Sequence, residues 1–207
     1  MTVIYLISNN ITNNNFINDK NNDNIEYKIK NSKLNYEGIN NATKISNIKE
    51  LENTNYLFSS SYNTSIETSN YLSKKVNRKV RIDNRLDLKR IGITKLSELP
   101  NYYNEQSFLD INYKLPKGES QEEVRTRMYN FINYLLDKYK NKKIIAVTHN
   151  INIIYLLRIW CIIKYKGKII FNNKIIANSI NNEPNIYKLE FNNKKILNIK
   201  FISLDID

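Results

Sequence analysis

Sulfur and imidazole are almost missing from this chain: its 207 residues include one cysteine, Cys161, and one histidine, His149. A single cysteine excludes an intramolecular disulfide and any multi-cysteine metal site, and it fits a reducing compartment, so the cytoplasm is the expected location. Proline and glycine are scarce as well, at 3 and 4 residues. No Pro-rich linker divides the chain, no segment repeats, and the length suits one domain, 1–207, with a proper core. Long hydrophobic runs are missing too. The most apolar stretch, "INIIYLLRIWCII" (151–163), is interrupted by Arg158. It is too short to cross a bilayer and reads as a buried helix, so no membrane partner is expected. The first residues form no basic-then-apolar leader, because Thr2 to Ile7 is itself strand-like.

Acid is in deficit. There are 32 Lys and Arg against 20 Asp and Glu, a formal net charge of +12. Most of the positive charge is lysine spread among Asn, Ile and Tyr, and the 37 Asn fit the same A/T-rich coding bias. The densest stretch, "KKVNRKVRIDNRLDLKR" (74–90), is diluted by Asp83 and Asp87. A solvated basic surface is the favoured reading, with a nucleic-acid-associated protein as the minority alternative.

Along the chain, "VIYLI" (3–7) reads as a strand, and 9–33 as a long loop rich in Asn, Asp and Lys. Ile39, Ala42, Ile45 and Ile48 lie at helical spacing within 37–52. "NYLFSSS" (55–61) is a strand ending in small hydroxyls, 63–76 a helix, and "KVRID" (79–83) a strand. Residues 84–117 look irregular. Ser120 and Glu123 form a capping box ahead of an apolar stripe of Val124, Met128, Phe131, Leu135 and Tyr139. "KKIIAVTHN" (142–150) carries four apolar residues in a row, the mark of a strand buried on both faces of a parallel sheet. The tail, 185–204, alternates and turns at Asn192–Lys195, predicting an antiparallel hairpin at a sheet edge. Alternating strands and helices predict an α/β domain. Its ligands would lie outside the C-terminal strand ends. Three tips are polar there: Ser8-Asn9-Asn10, Ser59-Ser60-Ser61 and Thr148-His149-Asn150.

These tips, in this order, resemble the histidine phosphatase superfamily, the phosphoglycerate-mutase-like proteins. Where its members run from the first strand into Arg-His-Gly-Glu-Thr, this chain runs into "SNNIT" (8–12), keeping Thr12, with Asn15 where many members carry Asn. "LNYEGINNA" (34–42) is similar to Leu-Thr-x-x-Gly-x-x-Gln-Ala. "YLFSSSYNTSIETSNYL" (56–72) is similar to Ser-Ser-Pro-Leu-x-Arg-Ala-x-Gln-Thr. "RIDNRLDLKRIG" (81–92) resembles the stretch with the acidic residue, "GESQEEVRTRM" (118–128) the Gly-Glu-Ser helix start, "IIAVTHN" the second histidine strand, and "IANSI" (176–180) a late Asn-Ala-Ser strand. The resemblance implies a three-layer αβα sandwich, mostly parallel with an antiparallel edge hairpin. Gly118-Glu119-Ser120 is better read as a helix cap than as a crevice element, and Arg127 is as ready to pair with a carboxylate as with a ligand.

The family's chemistry needs a nucleophilic His, two Arg and a second His around the phosphoryl oxygens, and a carboxyl acid. Carried over, the first Arg becomes Ser8, the nucleophile Asn9, the motif Gly Asn10 and the second Arg Thr64. The acid aligns with Leu88, although a one-residue slip offers Asp87. Only His149 survives. An amide nitrogen has a delocalised lone pair and forms no phosphoenzyme; loss of an attacking group costs roughly 10⁴-fold or more. Each Arg–phosphate contact contributes roughly 1.5–3 kcal/mol, so two lost arginines weaken phosphate binding by about 10²–10⁴-fold. The expectation is therefore a pseudophosphatase with no cofactor or metal. It would bind a small phosphorylated ligand or a protein partner through Ser8, Asn9, Asn10, Thr12, Asn15, Thr64 and His149. The alternative is a phosphomonoester hydrolase or mutase with rearranged chemistry, using His149 and a lysine of the 9–33 loop.

Overall fold

A computed structural model describes residues 1–9, 24–164, 167–177 and 184–204. Four parallel strands form one side of a sheet: β1 (Thr2–Ser8), β2 (Tyr56–Ser59), β3 (Val80–Ile82) and β4 (Lys143–Thr148). Two antiparallel strands, β8 (Ile186–Asn192) and β9 (Lys195–Ile202), complete it, in the order β3-β2-β4-β1-β8-β9. The register pairs Ser8 with Thr148 and Ser59 with Val147, so the tips of β1, β2 and β4 finish level.

Alternation along β1 divides the core. Ile4 and Leu6 join Ile144, Ala146 and Leu189 under α5 (Gln121–Lys138) and α6 (Asn150–Leu157). Tyr5 and Ile7 join Leu57, Ile145 and Val147 against α2 (Tyr36–Ser46) and α3 (Asn63–Val76), through Ile45 and Leu72. A side-chain period of two thus places one helical layer on each face of a sheet buried on both. The result is the expected three-layer α/β architecture.

The chain solves its turns with asparagine. Seven described non-glycine residues have positive φ, and all are Asn: 24, 53, 77, 141, 172, 173 and 193. Asn tolerates the left-handed region better than other side chains because its short amide bonds locally. That lets a chain with 4 Gly end helices and close hairpins.

Some expectations need correcting. Within the 9–33 segment, residues 25–31 form helix α1 (Ile25–Asn31), capped by the Asn24 side chain accepting from the Tyr27 amide. The irregular 84–117 stretch contains α4 (Tyr103–Leu109) and two 3-10 turns, Asn84–Leu86 and Leu96–Glu98. The predicted 37–52 helix breaks at Asn47 and ends as a 3-10 turn, Lys49–Leu51. The 151–163 helix stops at Leu157, and Ile162–Ile163 is strand β5. With β6 (Ile169–Phe171) and β7 (Lys174–Ala177) it builds a second, three-stranded sheet that the sequence reading missed. Of the "IANSI" motif only Ile176 and Ala177 are described, and Asn10, Thr12 and Asn15 lie outside the described residues.

Candidate functional site

At the tip of β1 the backbone is held on both sides. The Ser8 amide donates to the Asn185 carbonyl at 2.9 Å, the Asn185 amide donates to Ser8 Oγ at 2.7 Å, and the Asn9 amide donates to the Thr148 carbonyl at 2.7 Å. Ser8 is buried, its hydroxyl occupied as a strand-to-strand tie. The next side chain reaches across to α3, where Asn9 Nδ2 donates to Thr64 Oγ1 at 2.9 Å. Two positions that the resemblance assigns to a nucleophile and an arginine therefore hold each other as neutral amide and hydroxyl.

Next along β2 lies a denser polar cluster. Asp87 accepts three bonds, from the Ser61 amide at 2.7 Å, Ser61 Oγ at 2.8 Å and Ser60 Oγ at 3.0 Å. Ser60 Oγ also accepts from the Tyr62 amide at 3.2 Å and lies 3.1 Å from His149 Nε2. One hydroxyl carries one proton, and it goes to the carboxylate. The contact with His149 then requires Nε2 to be the donor, so the ring is the Nε2–H tautomer. His149 is buried, edge-on to the Tyr62 ring at 4.9 Å. Burial, and secondarily the Arg127 charge, lower its pKa to about 3, which leaves it neutral. Burial and then the Asp87 charge push the Tyr62 phenol up to about 12.

Below this cluster, Thr148 Oγ1 donates to the Leu86 carbonyl at 2.6 Å and Asn152 Nδ2 to the Asp87 carbonyl at 2.6 Å. These bonds clamp the 86–87 backbone to β4 and α6. Clamped so, Asp87 reaches the serines and joins Leu88 in the wall of an open cavity of about 500 Å³. The rest of the wall includes Glu26, Lys30, Tyr62, Arg90, Glu119 and Arg127. Among the described wall residues, three carboxylates thus accompany three cations.

Arg127 grips Glu119 with two bonds, Nε to Oε1 at 2.9 Å and Nη2 to Oε2 at 3.1 Å, and gives Nη1 to the Arg85 carbonyl at 2.6 Å. Burial alone would raise the Glu119 pKa; the bonds from Arg127 and the Arg90 amide outweigh it, and the carboxyl sits below its ordinary value. Glu119 and Ser120 act separately: Glu119 forms the cavity wall, while Ser120 and Glu123 cap α5 reciprocally as predicted. The wall depends on a close backbone approach. A Cβ on Gly118 would lie 2.3 Å from the Ile91 carbonyl oxygen, and one on Gly92, at φ +86°, 2.2 Å from the Gly118 amide.

Deeper in, the Lys89 side chain is buried, and among the described residues its Nζ has no hydrogen-bond partner. It lies 5.0 Å from the Tyr103 ring centre and 5.4 Å from that of Tyr155, and burial lowers its pKa to about 8.

Residues 18–174 match the sequence profile of the histidine phosphatase superfamily, branch 1. This chain is a member of that superfamily. Solved structures of the same fold align over nearly their whole lengths. A mutant phosphoserine phosphatase from Entamoeba histolytica in complex with phosphoserine is 17% identical with TM-score 0.69, covering 99% of this chain and 98% of that one. A mycobacterial glucosyl-3-phosphoglycerate phosphatase with inorganic phosphate is 14% identical with TM-score 0.68, covering 97% and 95%. A protein described as mycobacterial hydrolase 1 is also 14% identical at 0.68, covering 97% and 96%. Identities this low speak for the fold. No curated protein matches the sequence.

Within this histidine phosphatase fold, the structure brings Ser8 of β1 and the Asn9 that follows it, Thr64 of α3 and His149, which joins β4 to α6, to one end of the sheet. Sequence reasoning missed the neighbours that occupy them: Ser60 and Ser61 as ligands of Asp87, Tyr62 against His149, and Glu26 and Lys30 on α1. The paired "SS" at the end of β2 was the one available signal.

Proposed function

We propose that this histidine phosphatase relative is a pseudophosphatase, whose crevice holds a ligand without cleaving a phosphomonoester. The observation that carries this reading is the Asn9–Thr64 hydrogen bond of 2.9 Å. In place of an imidazole and a guanidinium stand two neutral groups, with one amide N–H of Asn9 bonded to the Thr64 hydroxyl oxygen. Neither attacks phosphorus nor neutralises a phosphoryl oxygen.

The state of His149 supports the same conclusion against the rearranged-hydrolase alternative. Its Nε2 proton is committed to Ser60, and a ring with a pKa near 3 is a feeble base at neutral pH. Arg127, the guanidinium nearest this end among the wall residues, is already held by Glu119 and a backbone carbonyl. The balanced charge of the described wall residues fits a neutral or zwitterionic polar group better than a phosphate dianion.

Hydrolysis of p-nitrophenyl phosphate, phosphoserine and several sugar phosphates tests the proposal. The expected rates equal buffer background, and inorganic phosphate or vanadate leaves the melting temperature unchanged. Turnover above background that vanishes in His149→Ala would overturn it.

A further inference from the structure

Of the basic stretch 74–90, Asn84, Asp87, Leu88 and Arg90 line the crevice, and the structure gives the rest a built surface. β3 is one open edge of the six-stranded sheet. Its exposed Arg81 lies over three rings, 4.9 Å from the Tyr56 centre and 5.9 Å from those of Phe58 and Tyr139, and donates to Tyr139 Oη at 2.9 Å. Arg85 lies 4.8 Å over Tyr134 and 5.3 Å over Phe131. Lys138, at the end of α5, sits 5.3 Å over Tyr134 and donates to its hydroxyl at 3.1 Å. These are cations seated on aromatic rings, with Arg78 and Lys79 exposed on the approach to the strand. Among the described residues only Arg85 of these three seated cations is paired with a carboxylate: Asp83 accepts from its Nε at 2.9 Å and its Nη2 at 2.6 Å.

A free Arg or Lys loses much rotamer entropy when it docks on a partner, whereas a side chain already seated on a ring has lost most of it beforehand. Guanidinium groups bind phosphate bidentately. Apolar anchors of the kind that seat a protein on lipid are sparse here, with Ile82 the exposed aliphatic residue of the strand. We infer that the β3 edge, centred on Arg81, Arg85 and Lys138, is a binding face for a nucleic-acid backbone, contacted through phosphates and without base readout. The inference is independent of the crevice and of the pseudophosphatase reading.

The test is fluorescence anisotropy on the full chain, with a labelled thymidine oligomer of about 20 nucleotides and a duplex of the same length. About three phosphate contacts should weaken single-strand binding roughly twentyfold between about 50 and 200 mM salt. The Arg81→Gln, Arg85→Gln, Lys138→Gln triple variant should bind at least about tenfold more weakly, with a flatter salt dependence. Arg78→Gln with Lys79→Gln, which disturbs no ring contact, should weaken binding in the same direction and guards against misfolding of the triple variant. A control triple, Lys44→Gln, Lys195→Gln and Lys200→Gln, removes equal charge from α2 and from β9 at the opposite sheet edge, and should bind like the parent. Equal loss in the control, absent or salt-insensitive binding by the parent, or equal competition by phosphatidylserine vesicles would each overturn the inference.

Discussion

Asn9 and Thr64 are 55 positions apart and hold each other through one 2.9 Å hydrogen bond from Nδ2 to Oγ1. Thr64→Val keeps the volume and removes the acceptor, leaving a half-buried amide short of a partner. It should cost about 1 kcal/mol in urea or thermal unfolding. In a pseudophosphatase it leaves phosphomonoester hydrolysis at background. A stability loss accompanied by a fall in measurable hydrolysis would show that the pair works in catalysis.

His149 is the sole histidine, so its proton can be followed alone by NMR. With the folded pKa near 3, the ring signals should stay flat from pH 8 to 5 and carry the nitrogen shifts of an Nε2–H tautomer. The linked effect on stability has a definite sign. The folded value lies below the unfolded value of about 6.5, so the unfolded chain binds the extra proton as pH falls. Stability is full above pH 6.5 and declines below it, at roughly 1.4 kcal/mol per pH unit once the unfolded imidazole is charged. Between pH 6 and 5 that slope precedes the titration of carboxylates, and His149→Gln should flatten it.

Lys89 follows the same sign in a higher pH window. Its folded pKa of about 8 lies below the ordinary 10.5, so its contribution improves as pH rises from 8 toward 10.5 and is poorest near neutrality. Lys89→Met fills the same slot between Tyr103 and Tyr155 without the charge. At pH 7 the variant should be more stable by about 1–3 kcal/mol, with the difference shrinking by pH 9.5. A variant less stable at both pH values would mean that the ammonium has a partner supplied by solvent.

Breaking the Glu119–Arg127 clamp should hurt in either direction. Glu119→Gln leaves the mostly buried Arg127 without a carboxylate, and Arg127→Ala leaves Glu119 with only the Arg90 amide and its guanidinium at 4.0 Å, at a cost of roughly 3 kcal/mol, or a drop in melting temperature of about 6–12 °C for a chain of this size. Arg127→Lys cannot restore the bidentate geometry and should recover only part of the loss.

Gly118→Ala should be as damaging, because the new Cβ would meet the Ile91 carbonyl oxygen at 2.3 Å. The backbone must separate there, at a cost of about 1–3 kcal/mol, and the Arg90–Glu119 wall moves with it. Loss of near-ultraviolet circular dichroism at a lower temperature is the readout.

Much of the scaffold is legible in the residues because the signals there are local and redundant. Helix 63–76 and the Asn192–Lys195 turn agree with the observed boundaries, and "IIAV" announces a strand buried on both faces. The short elements were not legible. α1 and α4 are seven residues each, too brief for a periodic stripe, and they are stabilised by what they pack against. The run 151–163 misled because a buried helix and a buried strand share one apolar alphabet, and the change comes at Arg158 to Cys161 with no Gly or Pro to mark it. At the site, the strand tips located the tied groups, but the identity of each tie depended on three-dimensional neighbours. Asp87 emerged only as a slip from Leu88, and no pattern linked it to Ser60 and Ser61.

The asparagine turns carry a consequence for engineering. Each of the seven left-handed positions bears a side chain that glycine would relieve of steric strain, on the order of 1 kcal/mol before the entropy of a looser unfolded chain takes part of it back. At sites such as Asn193, where no cap is made, the net gain from glycine should be a few tenths, whereas at Asn24 the lost tie to Tyr27 should reverse it. A thermostable descendant of this protein would therefore be sought first in its hairpin bends, leaving both the groove and the basic edge untouched.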